Sequence, residues 1–137
     1  MKKVEIIARM ILEVVGAPKE HIETALQDVI NKLKEESKIK LKTSKLFETK
    51  QLKNKFWSAF AEVEFSTDDM KTLLEICFDY TPSAIEILEP AGIDIDTQVL
   101  ASIFNDLLAK VHQFVAVLKN YEAENRLLKD ELKKFKK

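Results

Sequence analysis

From Asp96 to Lys137 the chain carries one unbroken helical pattern, and no other feature restricts its fold so tightly. With Phe104 at heptad position a, the a positions are Phe104, Val111, Leu118, Asn125 and Leu132. The d positions are then Leu107, Phe114, Tyr121, Leu128 and Phe135. Nine of these ten are apolar or aromatic, and the tenth is Asn125. A seam of this period makes helices wrap around one another, and a polar residue at a selects register and oligomer state. Glu124 and Glu131 fall at g, each five positions before Lys129 and Lys136 at e. Two identical parallel helices would form reciprocal Glu–Lys pairs across such a seam. The segment is therefore expected to be a coiled-coil homodimerisation element, with a higher oligomer as the alternative. Leu127 lies at an outer position and hints at a third surface or an antiparallel alternative. Upstream, Val99, Leu100, Ile103, Leu108, Val115 and Val117 broaden the apolar face beyond what a two-stranded seam needs. That half is expected to cover a sheet or to build a larger bundle.

The residues before the helix read as alternating strands and helices. Residues 3–15 have period two. Val4, Ile6, Ala8, Met10, Leu12 and Val14 form an apolar face, and Glu5, Ile7, Arg9, Ile11 and Glu13 a mixed one, as in a half-buried strand. Gly16 ends it, and Pro18 suits a helix start. Ile22, Ala25, Leu26, Val29, Ile30 and Leu33 then form one helical stripe. A second strand begins at Lys38, with Ile39 and Leu41 on one face and Lys38, Lys40 and Lys42 on the other. Thr43 to Lys55 lacks Gly and Pro and reads as a long hairpin arm or a mobile loop. Residues 56–65 form a third strand, with Trp57, Ala59, Ala61, Val63 and Phe65 facing one way and Phe56, Ser58, Phe60, Glu62 and Glu64 the other. Ser66 or Thr67 is expected to cap a second helix with Asp68 and Asp69 in its first turn, where the dipole favours acids. Its inner stripe would be Met70, Leu73, Leu74 and Cys77, and Pro82 stops it. Residues 83–89 are a short fourth strand, and Asp94 or Asp96 caps the final helix.

This order predicts an α+β chain: a ferredoxin-like βαββαβ sandwich over residues 1–93, with strand order 4-1-3-2, followed by the long C-terminal helix over 94–137. Charge is uneven within a net of −1. Residues 38–55 hold seven lysines and one glutamate; residues 56–118 hold eleven acids and two bases. Such segregation points to self-complementary contacts or a local basic patch. One cysteine, Cys77, excludes an internal disulfide and suits a reducing compartment. No apolar run approaches the ~20 residues of a membrane span. The stretch after Lys2 and Lys3 is broken by Glu5, Arg9 and Glu13 and is no signal peptide. A soluble cytoplasmic protein without membrane association is expected.

Little in the chain suggests catalysis. His21 and His112 show no metal-ligand spacing, and Cys77 sits on the inner stripe of a helix, where a buried, inert thiol is expected. With only Gly16 and Gly92, glycine-rich phosphate loops are excluded. The reading is a non-enzyme without cofactor, metal or catalytic residues. Lys38 and Lys40 are expected opposite Glu64 and Glu62 in a hairpin, which is ordinary sheet stabilisation, and lysine also guards an edge strand. Lys45, Lys50, Lys53 and Lys55 remain, flanking Phe47, Phe56 and Trp57. Basic residues among aromatics suit a nucleic-acid backbone and stacked bases. The third strand, Lys55-Phe56-Trp57-Ser58-Ala59-Phe60-Ala61-Glu62-Val63, resembles the RNP1 strand of the RNA-recognition motif only weakly, since glycines are absent and Glu62 and Glu64 would repel phosphate. Ile7, Ile11, Phe56 and Phe60 on that face suggest a packing surface instead.

The segment Cys77-Phe78-Asp79-Tyr80-Thr81-Pro82-Ser83-Ala84-Ile85-Glu86-Ile87-Leu88-Glu89-Pro90, with Phe60-Ala61-Glu62-Val63-Glu64 before it, resembles an uncharacterised archaeal protein family with a ferredoxin-like α+β domain. The likeness covers roughly the first 90 residues. It implies a small cytoplasmic protein and no defined activity. The leading expectation is a homodimeric structural or adaptor protein that binds a protein partner of unknown identity. RNA binding through the Lys-rich hairpin is one alternative. An ACT-like regulatory domain for a small ligand is another, resting on fold analogy alone.

Overall fold

The computed structural model describes residues 5–136. Val4, Lys2 and Lys3, named above, lie outside the described residues, as does Lys137. The elements are β1 (Ile6–Gly16), α1 (Lys19–Lys34), β2 (Lys40–Leu46), β3 (Lys50–Gln51), β4 (Trp57–Thr67), α2 (Met70–Tyr80), β5 (Ala84–Glu89) and α3 (Thr97–Phe135), with a short 3-10 turn at Lys53–Lys55. The chain divides into two compact units, residues 1–94 and 95–137.

The first unit is an α+β layer built on an antiparallel sheet. The long strands lie in the order β2-β4-β1-β5, and β3 adds to β4 beyond the end of β2. The longest ladder joins β1 to β4 from Ile6↔Thr67 to Gly16↔Trp57 without a break. Alternation decides the two faces. Ile6, Ala8, Met10 and Leu12 of β1 and Ala59, Ala61, Val63 and Phe65 of β4 are buried on one face. Residues opposite each other across an antiparallel pair point the same way, so the register keeps both apolar sets together. Ile22, Leu26, Ile30 and Leu33 of α1 and Leu73 and Ile76 of α2 complete this core. Small residues at Ala8, Ala59 and Ala61 leave room for the helices to lie close. Ile85 and Ile87 share the helix side with their partners Met10 and Ala8, yet each is 42% exposed.

Several local expectations are corrected. Lys40 pairs with Ser66, not Glu62, because β2 runs on to Leu46 opposite Ala61, which leaves Lys45 as the partner of Glu62. Lys38 instead reaches Glu75 of α2 at 3.8 Å, and Lys42 reaches Glu5 at 3.4 Å. Neither Ser66 nor Thr67 caps α2, because β4 continues through Thr67. Asp69 is the N-cap and accepts from the Lys71 amide at 3.0 Å; Asp68 and Asp69 both lie ahead of the first turn. The buried stripe of α2 runs through Leu73 and Ile76, while Leu74 and Cys77 are half-buried at its margin. Phe56 precedes β4 rather than lying in it, and is 48% exposed.

The ends of α1 and α2 are joined. Tyr80 donates its hydroxyl proton to Glu36 at 2.8 Å. Lys32 lies 5.9 Å from the centre of the Tyr80 ring, on its face. Thr81 follows in a left-handed conformation (φ 42°) that turns the chain toward β5, and its amide donates to the Cys77 carbonyl. Ser83 then docks on β1 through its amide, which donates to the Ile11 carbonyl at 2.8 Å.

The second unit is α3. Asp96 caps it, accepting from the Gln98 amide at 2.8 Å. At ~1.5 Å per residue, its 39 residues span ~58 Å.

Candidate functional site

Two surfaces gather the residues singled out by the sequence. One is the α3 seam. Phe104, Val111, Phe114, Leu118, Tyr121, Leu128, Leu132 and Phe135 are each between 42% and 87% exposed in the single chain. Asn125 is exposed among them, and Leu107 is half-buried. The helix is uninterrupted through all ten positions, so the 3.5-residue register places them along one stripe. Soluble chains seldom leave so long an apolar row to water. Leu127, at its outer position, is 65% exposed.

The other surface is the outer face of the sheet, opposite the helices. Its rows follow from the register. Val15, Ser58 and Lys50 lie abreast, as do Ile11, Glu62 and Lys45. Between these rows Phe60 faces Glu13 on one side, and on the other its carbonyl accepts from the Phe47 amide at 3.0 Å. Ile11, Phe47 and Phe60, with Glu48 and Lys50, line a shallow open depression. Lys45 and Lys50 are thus brought together on this face. Lys53 and Lys55 are held apart from them, in the turn between β3 and β4. Trp57 belongs to neither group. It lies opposite Gly16 and Gln51 on the helix side, where Lys19 sits 5.3 Å from its ring centre.

An ion cluster crosses the middle of the same face. Arg9 contacts Glu86 at 2.7 Å, Glu62 at 3.3 Å and Glu64 at 3.9 Å. The hydrogen bond that Arg9 donates to Glu86, then the carboxylate charges, raise the guanidinium pKa further. Sequence reading missed this cluster, although an arginine between Ile7 and Ile11 on one face of a strand is a visible signal. It also missed the pairing of Phe47 with Phe60, because the stretch after Thr43 carries no residue that separates a hairpin arm from a loop.

His21 and His112 are both exposed. Among the described residues no group of three or more His, Cys, Asp or Glu side chains is arranged to hold a metal ion. Burial pushes the Cys77 thiol pKa up, which disfavours the thiolate a nucleophile needs. No helix among the described residues is long and apolar enough to cross a membrane.

Sequence comparison connects both surfaces to one family. The match runs over residues 7–137, through the sheet, both packed helices and the whole described length of the seam. The chain belongs to the MJ0538 family. The family takes its name from a Methanocaldococcus protein. The match extends well past the first 90 residues to which the sequence resemblance was confined, so the family includes α3. Curated proteins and solved structures returned no match.

Proposed function

We propose that this MJ0538-family chain is a non-enzymatic homodimeric adaptor of the cytoplasm. In this reading residues 1–93 form a ferredoxin-like head, and α3 pairs with its copy as a parallel coiled coil that presents two heads to a protein partner. The observation that carries it is the exposed seam: nine apolar side chains in a/d register, with Asn125 at a and Glu124, Glu131, Lys129 and Lys136 flanking it. Fully burying one Leu or Phe contributes about 1.5–3 kcal/mol. A lone helix has no means of collecting that gain, whereas a second copy does, and it also gives Asn125 a partner for its amide. A self-contained helix with surface charge pairs accounts for the acids and lysines but not for the register of Leu118, Tyr121, Leu128, Leu132 and Phe135.

Multi-angle light scattering on the full chain tests it. The expected mass is twice the 15.8 kDa of one chain. The double variant Leu118→Asp/Leu128→Asp should fall to the monomer mass while keeping the circular dichroism of a folded head. A full chain that runs as a monomer at micromolar concentration would sink the reading.

A further inference from the structure

We propose that the hairpin end of the outer sheet face binds single-stranded nucleic acid, with Phe47 and Phe60 as a stacking floor and Lys45, Lys50, Lys53 and Lys55 contacting phosphates. Sequence-independent recognition of a single strand needs two things together: cations that track the backbone, and exposed ring faces on which bases stack. On this face Phe47 and Phe60 supply the rings and Lys45 and Lys50 the cations, and the turn before β4 adds Lys53 and Lys55. Phe47 is 42% exposed, and Phe60 beside it is half-exposed. Lys45 and Lys50 stand on the same face, and Lys45 lies 5.0 Å from the Phe47 ring centre.

The lysines are available. Arg9, Lys38 and Lys42 are in ion pairs with acids, whereas these four are in none among the described residues. Between residues 45 and 55 they stand against a single glutamate, Glu48. The turn that carries two of them is conformationally costly. Asn54 and Lys55 both adopt left-handed backbone angles, at φ 62° and 66°. A residue with a Cβ disfavours this conformation, Lys55 more than Asn54, and such strain clusters where a loop has a task.

Glu62 and Glu64, which would repel phosphate, are already engaged. Both lie within 4 Å of Arg9, and Glu62 also faces Lys45 across the strand pair. Glu64 is four residues from Phe60, ~13 Å along a strand, beyond the ~8 Å over which charge acts at physiological salt. Glu13 is held by the Ser58 hydroxyl, which donates to it at 3.2 Å. A membrane of anionic lipid is the competing occupant, since Leu46 and Leu52 are also exposed. A flat headgroup layer would press on Glu13 and Glu48 as well as on the lysines, whereas a single strand can follow the lysines alone.

Fluorescence anisotropy of the full chain with a fluorescein-labelled 15-nucleotide oligouridylate tests the site, with oligothymidylate and phosphatidylglycerol vesicles as parallel arms. Replacing Lys45, Lys50, Lys53 and Lys55 by Ala should weaken oligonucleotide binding at least thirtyfold. It should also flatten the log–log salt slope by about 0.7 per lost phosphate contact. Phe47→Ala should weaken binding about tenfold at unchanged slope. A matched loss of four charges from outer positions of α3 (Lys119, Arg126, Lys133 and Lys134, all to Ala) should leave affinity within threefold. Three results would overturn the proposal: no oligonucleotide binding at 50 mM salt, an equal loss in the α3 variant, or binding to vesicles alone.

Discussion

Single residues tie this small sheet together over long sequence distances. Tyr80 is the clearest case. Its hydroxyl donates to Glu36, 44 positions away, and closes the end of the helical layer. Burial first, then the hydrogen bond and charge of Glu36, raise the Tyr80 pKa above the usual value of 10.0. The folded chain therefore holds this proton after an unfolded tyrosine would have released it. Stability from this source is complete below pH ~10 and drains away as pH rises above it. Tyr80→Phe should cost about 1 kcal/mol at neutral pH and should lose less further stability between pH 9 and 11 than the parent. Urea melts across that range check both parts. An equally steep alkaline decline in the variant would show that another group is responsible. Arg9 acts similarly across three strands. Its need for acids was foreseeable from its place in β1, but the identity of Glu86 was not, because the two are 77 residues apart.

At the level of elements, β1 and α1 were the most legible parts. Strict period two in β1 and a single stripe in α1 each match one way of burying apolar area. Their junction is sterically tight as well as broken by Gly16. A Cβ at Gly16 would stand 2.6 Å from the Ile22 Cδ1, and Ile22 is itself buried at 3% exposure. Gly16→Ala should therefore destabilise by about 1–3 kcal/mol, as overpacking does, seen as a lower urea midpoint with unchanged slope. A neutral result would mean that Ile22 can repack into neighbouring space. The hairpin was less legible. Thr43 to Lys55 has no Gly or Pro to mark its turns, and the structure meets that lack by placing Asn54 and Lys55 in left-handed geometry. The bulge after Leu41 has no clear local signal either, and the expected pairing of Lys38 and Lys40 with Glu64 and Glu62 fails because β2 runs on to Leu46, which brings Lys45 opposite Glu62.

For the whole molecule, the contrast is between a head with its own core and a helix whose seam residues are mostly exposed in the single chain. In the proposed dimer Asn125 gives up stability for a unique register. Asn125→Leu should raise the melting temperature while spreading the light-scattering mass from dimer toward larger species. A strict, unchanged dimer would place Asn125 outside the seam. The seam, the alternation of β1 and the stripe of α1 are properties of residues close in sequence, where periodicity alone decides which side must leave water. Those the sequence determined by itself. The neighbours of Arg9, the meeting of Phe47 with Phe60 and the shifted register of β2 depend on which strands pair and at what offset. Only the tertiary structure decided these, because register is set by the summed burial of a whole strand and not by any one residue in it.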